Sequence, residues 1–256
     1  MDTPILEAIG VEKIYPKKST PALTGVNLSL HPGELVAVIG HNGAGKSTLF
    51  DILGGLITPT HGTVTNSVAE SAIGWCPQRE IIDWSLTVTQ NILLGLDLRV
   101  GRWHRRADIE GIAEVLGLSQ LLDRTAETLS GGELRRTQIA RAIIGNPSLM
   151  ILDEPTTGLD PAGIDTVFSY LRSRVEEGRT VLVSTHETSK FSEYCTRVIA
   201  LRGGRIIADM PATRFMAHCP ASTDLWEALK AFEALESPMN PEAAAATEAE
   251  EGTPRP

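Results

Sequence analysis

Apolar residues are distributed along the chain in runs whose length and spacing separate strands from helices. Leu35-Val36-Ala37-Val38-Ile39, Leu149-Met150-Ile151-Leu152 and Val181-Leu182-Val183 are short and unbroken, each closed by a glycine or a polar residue. Such runs suit strands buried on both faces of a parallel sheet. Ile5 to Tyr15 and Val26 to Leu30 read differently, because Leu28-Ser29-Leu30 alternates as an antiparallel strand with one wet face does. Thr63 to Val68 and Ser71 to Trp75 are further strand candidates, and Arg197 to Leu201 and Arg205 to Ala208 form a hairpin about Gly203-Gly204. Helical spacing covers Thr48 to Leu53, Thr87 to Leu98, Asp108 to Leu116, Leu134 to Ile144, Ala162 to Glu177 and Thr223 to Leu235. The middle of the chain, about residues 82–145, is helical and lacks the long apolar strands on either side of it.

The expected fold is therefore α/β, with a parallel core, an antiparallel β subdomain and an inserted helical subdomain. One domain is expected over residues 1–235. Residues 236–256 turn to Ala, Glu, Pro and Thr without aromatics, and an acidic, disordered tail is expected there. No internal repeat suggests a tandem pair.

Composition narrows the function. A chain of 256 residues accommodates one large α/β domain, and its formal net charge of −9 argues against a nucleic-acid partner. Cys76, Cys195 and Cys219 are odd in number and lack paired spacing, which fits a reducing cytosol better than disulfides or zinc. No signal peptide is expected from Met1-Asp2-Thr3-Pro4, and no apolar run approaches the ~20 residues that span a bilayer. Any membrane step would need another chain.

The chemistry concentrates in a few stretches. Gly40-His41-Asn42-Gly43-Ala44-Gly45-Lys46-Ser47-Thr48 follows an apolar strand and opens a helix, which is the phosphate-binding P-loop, G-x-x-x-x-G-K-[ST], in its proper context. The core is thus expected to be a P-loop NTPase. Its glycines let successive N–H groups converge on phosphate, Lys46 can reach the β- and γ-phosphates, and Ser47 can ligate Mg²⁺. Asp153 ends a buried strand and could help hold Mg²⁺, while Glu154 is placed to accept a proton from water. Gln78 could ligate Mg²⁺ or hold that water, although most isolated glutamines are surface residues. His186 lies at a strand's carboxyl end, where α/β sheets bind ligands. Tyr15 is either an adenine platform or a strand-end aromatic. Ser130 and Glu133 have the spacing of a helix capping box, and Gly131 and Gly132 could expose N–H groups as a second anion site. The Arg102-Trp103-His104-Arg105-Arg106 loop is a solvated basic loop or a contact for lipid headgroups or an acidic partner surface.

Together these residues resemble the nucleotide-binding domain of ATP-binding-cassette (ABC) proteins, over roughly residues 5 to 215. Leu129-Ser130-Gly131-Gly132-Glu133 looks like the family's signature motif, Tyr15 its adenine-stacking position and Gln78 its Q-loop. Asp153-Glu154 matches the extended Walker B, Asp160 the D-loop and His186 the H-loop; His41 departs from the commoner proline at a position that contributes backbone. The resemblance implies an ATPase, with ATP and Mg²⁺ as cofactors. Two cassettes would stack head to tail, a homodimer being favoured by the complete motif set, with Ser130, Gly131 and Gly132 facing the partner's ATP. It also implies a separate membrane permease, docked near Ile81, Ile82 and Trp84, and a peripheral position on the cytoplasmic face of the inner or plasma membrane. The segment Trp75-Cys76-Pro77-Gln78 and the C-terminal helix look similar to drug, lipid or polysaccharide exporter ATPases. Gln78-Arg79, Asp83-Trp84 and Thr87-Val88 also resemble metal-ion importer ATPases; export is favoured. A soluble ABC ATPase without a permease and a non-hydrolysing regulatory module are the alternatives.

Overall fold

The computed structural model describes residues 3–16, 20–69, 72–97 and 106–236. Residues 101–105 of the basic stretch, all but Arg106, and residues 237–256 of the acidic tail therefore lie outside the described residues.

Three apolar runs become the innermost strands. β3 (Leu35–Ile39), β6 (Leu149–Asp153) and β7 (Thr180–Ser184) are buried at every position. They belong to a six-stranded sheet ordered β5-β6-β7-β3-β8-β9, with β5 (Ile73–Cys76), β8 (Arg197–Arg202) and β9 (Arg205–Pro211). All neighbours are parallel except β9, which pairs antiparallel with β8 through the Gly203-Gly204 turn. Both glycines have positive φ, as a tight hairpin turn requires. The second sheet, β2-β1-β4, is antiparallel and comprises β1 (Leu6–Lys13), β2 (Leu23–Leu30) and β4 (His61–Asn66).

The period of two along each strand divides the interior into two apolar layers. Leu35, Ala37 and Ile39 face one layer with Met150, Leu152, Val181 and Val183; there they meet α2 (Val88–Asp97), α4 (Gly131–Ile143), α5 (Pro161–Glu176) and α8 (Leu225–Glu236). Val36 and Val38 face the other layer with Leu149, Ile151 and Leu182, against α1 (Lys46–Leu53) and the antiparallel sheet. Arg197 ties the sheets together at their rim, bonding Glu34, Asp209 and the Ser29 carbonyl.

Two helices, α4 and α5, start with side-chain caps. Asp160 caps α5 by accepting from the Gly163 N–H, with Pro161 at the first helical position. Among the described residues the other α-helices are α3 (Arg106–Val115) and two short ones, α6 (Thr188–Phe191) and α7 (Ala212–Met216). α2 and α4 cross at Gly95, where a Cβ would collide with the Arg141 carbonyl. Buried Asn91 on α2 pins the preceding loop, accepting from Asp83 N–H at 2.9 Å and donating to the Asp83, Leu86 and Thr87 carbonyls.

The strands and the longer helices follow the sequence reading, with ends displaced by a few residues, whereas α6 and α7 were not anticipated. β2 begins at Leu23 rather than Val26, and β4 runs from His61 to Asn66 rather than Thr63 to Val68. Pairing with β1, rather than apolar content alone, sets those limits. Of the three residues expected at a permease groove, Ile82 is instead part of the core while Trp84 is half exposed. Among the described residues no helix is long and apolar enough to cross a membrane.

Candidate active site

Asp153 and Ser184 pair across β6 and β7, and Val38 pairs with Ser184, so three strand ends reach one edge of the sheet. The loop from Gly40 leaves at that edge and enters α1. Gly40 admits no side chain, because a Cβ would strike the Leu201 carbonyl. Gly45, at φ 108°, is equally confined, since a Cβ there would lie 2.7 Å from the Ala22 carbonyl oxygen and 2.8 Å from Leu23 Cδ2. Close packing on both sides holds the loop in its curve.

A cleft of about 460 Å³ opens above it. Tyr15, Ala22, Asn42, Gly43, Gly45, Lys46, Ser47, Thr48, Gln78, Asp153, Glu154 and His186 line it. Most of the residues singled out from sequence thus meet in one place. Gly40 lines an adjoining hollow with His41 and Trp226, and Ala44 is buried beneath the loop with its N–H on the His41 carbonyl. Ser130, Gly131 and Gly132 are absent from this lining and sit at the exposed or half-exposed start of α4. Ser130 forms a complete capping box there: its Oγ and N–H donate to Glu133 Oε2 at 2.8 and 2.7 Å, and Glu133 N–H donates back.

Lys46 Nζ donates to the Gly40 carbonyl at 2.7 Å. Burial pushes its pKa below the usual lysine value, opposed by the charges of Glu154 and Asp153. Glu154 has φ 52°, a left-handed conformation unusual for a residue with a side chain. Its N–H donates to the Ser184 carbonyl at 3.0 Å and to Ser184 Oγ at 3.1 Å, while Ser184 Oγ donates to Asp153 Oδ1. The buried Glu154 carboxylate accepts from His186 N–H at 3.1 Å and lies 3.3 Å from His186 Nε2. Burial raises the Glu154 pKa, against the lowering influence of His186; neighbouring Asp153 raises it further. Tyr15 contacts Thr48 through its hydroxyl at 3.3 Å, with Lys13 Nζ 5.5 Å from its ring centroid.

Among the described residues no cluster of three His, Cys, Asp or Glu side chains forms a metal cage. Ser47, Gln78 and Asp153 instead offer hydroxyl, amide and carboxylate oxygens in one cleft. Those hard donors fit Mg²⁺, which completes its shell with phosphate oxygens and water.

Two residues here escaped the sequence reading. Ser184 reads only as the polar end of β7, although it faces Asp153 in register. Arg135 is a charged residue on a helix face otherwise buried, and that mismatch was its one visible signal. Its guanidinium reaches the main chain of both the Asp153–Pro155 and the Pro77–Gln78 segments.

Comparison with known proteins places this arrangement. A family model described as ABC transporter matches residues 23–157. The Nod factor export ATP-binding protein I of Rhizobium meliloti is 36% identical over 214 residues, which is 80% of this chain and 63% of that protein. The chain therefore spans somewhat less than two thirds of that relative's length. The phosphonates import ATP-binding protein PhnC of Alcaligenes faecalis is 34% identical over 240 residues, 84% of this chain and 86% of that one. Among solved structures, the cassette MJ0796, a dimer in a post-hydrolysis state bound to ADP and Pi, superposes with a TM-score of 0.71. It is 28% identical, over 81% of this chain and 98% of that one. An ATP-binding subunit of an ABC transporter gives a TM-score of 0.79 at 24% identity, covering 90% and 99%, a likeness of fold.

Proposed function

The chain belongs to the ABC transporter family, and from that premise we propose that it is an ATP-hydrolysing subunit that pairs around ATP and drives a separate membrane permease. The observation that carries this reading is the convergence of Lys46, Gln78, Asp153, Glu154 and His186 on one cleft, with the signature residues outside it. A loop that presents phosphate donors beside a paired carboxylate and histidine suits phosphoryl transfer to water. A signature helix turned away from its own cleft suits service to a second copy's nucleotide.

In this reading Tyr15 stacks on the adenine. The backbone of residues 40–45 and Lys46 hold the phosphates, and Thr48 flanks them. Ser47, Gln78 and Asp153 would hold Mg²⁺, which would supply charge neutralisation for the phosphates. Glu154 takes a proton from the attacking water, and His186, bonded to both carboxylate oxygens, keeps Glu154 aimed and touches the γ-phosphate. Ser130, Gly131 and Gly132 present N–H groups and the start of α4 to the partner's γ-phosphate. Residues 1–235 form the cassette with its helical insertion at about 82–145, and 236–256 its tail. A homodimer at the cytoplasmic face of the membrane, attached through the permease, completes the assembly.

Export is the favoured direction, supported by likeness to the Nod factor export protein. Import is the second reading, favoured by the phosphonates import protein, whose length this chain covers more fully.

Purified wild type and Glu154→Gln should differ in phosphate release by at least about 100-fold, as loss of a general base implies. Nucleotide affinity should stay within a few-fold. Equal, negligible turnover by both would mean a nucleotide-binding module without hydrolysis.

A further inference from the structure

Arg135 stands one turn into α4, five residues after Ser130, and is almost wholly buried. Every N–H of its guanidinium points at a main-chain carbonyl. Nε donates to Pro155 at 3.1 Å; Nη2 donates to Asp153 at 2.7 Å and Glu154 at 2.6 Å. Nη1 donates to Pro77 at 2.9 Å and, more weakly, to Gln78 at 3.5 Å. All five donors of the fork are thus used, three on the segment carrying Glu154 and two on the segment carrying Gln78.

The helix extends this attachment. Gln138, three residues on, donates to Pro77 and Arg79 carbonyls at 2.8 and 2.9 Å, and Arg141 donates to Ile81 at 2.5 Å. One face of α4 therefore straps the main chain from Pro77 to Ile81. Arg135 alone reaches both this strap and the end of β6. It also bonds the carbonyl of Glu154, whose N–H is held by Ser184, so the left-handed conformation of that residue is fixed from both sides.

We propose that Arg135 is a positioning residue that holds Glu154 and Gln78 in one frame with the signature helix. Through it, seating of Ser130–Gly132 on a partner's nucleotide shifts the catalytic pair of its own chain. The inference rests on the proposed ATPase function and adds a residue and a route within the chain. Lysine is the informative replacement, since it keeps the charge but offers three donors on a flexible stem instead of a planar five-donor fork.

The test compares Arg135→Lys, Arg135→Ala and Ile139→Val, the last removing a methyl group from a buried residue of the same helix that makes no bond to either segment. Steady-state hydrolysis of Mg-ATP, binding of a fluorescent ATP analogue and thermal unfolding are measured for each. Arg135→Lys should lower kcat by about 10- to 100-fold, the scale of a small misplacement of reacting groups. KM and analogue affinity should remain within about threefold on the same grounds of positioning rather than binding. Ile139→Val should lower the unfolding temperature and leave kcat unchanged. If Arg135→Ala does not fold, the lysine variant carries the result. Unchanged kcat in Arg135→Lys, or a loss matching only its loss of folded protein, would overturn the inference while the ATPase reading stands. Wild type that turns over no ATP, indistinguishable from Glu154→Gln, would overturn both.

Discussion

Glu154, the proposed general base, illustrates how several small constraints act on one side chain. Its carboxylate is buried beside Asp153 and relieved only in part by His186, so its pKa lies above the ordinary glutamate value. The consequence for rate has a definite sign. Below the raised pKa the carboxyl is protonated and cannot accept from water, so activity falls on the acid side at a pH above the ~4.3 of a free glutamate. A pH profile of kcat under saturating Mg-ATP should place the acid limb above that value. A limb at or below it would mean that Glu154 is not the group being titrated. At this scale the motif residues were legible because their chemistry is carried by residue type and spacing: a lysine after glycines, a carboxylate pair closing an apolar strand. Ser184 and Arg135 were not. Their roles depend on bonds to main chain 30 and 18–58 residues away, which no local pattern encodes.

Among the elements, α4 combines the most functions. Its N-terminus is offered outward, its inner face straps Pro77 to Ile81, and its other contacts join the main core. The capping box that starts it was readable as S-x-x-E, and the structure forms both halves of it. Ser130→Ala should destabilise the fold by about 1 kcal/mol in urea unfolding at neutral pH. Hydrogen bonds from the Ser130 N–H and hydroxyl hold the Glu133 pKa below its usual value. The stabilisation is therefore present above the unfolded-state pKa and lost as pH falls through the lower folded one. The gap between wild type and Ser130→Ala should narrow in acid, and a gap independent of pH would assign it to something other than this pair. α6 and α7, of 4 and 5 residues, left no readable period because one helical turn contains too few positions to show one. Strand limits shifted for a related reason: β2 and β4 end where pairing with β1 ends, a long-range matter.

For the whole molecule, the unbroken apolar runs announced a buried parallel sheet, and alternation announced the antiparallel one. Strand order was out of reach. β3 lies between β7 and β8, strands more than 140 residues later in the chain, and only that insertion brings the P-loop beside Asp153, Glu154 and His186. The same architecture leaves Ser130–Gly132 outside the cleft they are proposed to serve, which makes a second copy a chemical requirement of the proposed mechanism. The direct measurement is the mass of Glu154→Gln in solution, with and without Mg-ATP, by light scattering after size exclusion. A shift from monomer to dimer on ATP, abolished by adding Ser130→Arg, is the predicted result. Protein that binds ATP yet stays monomeric across the concentration range would contradict the paired-cassette account.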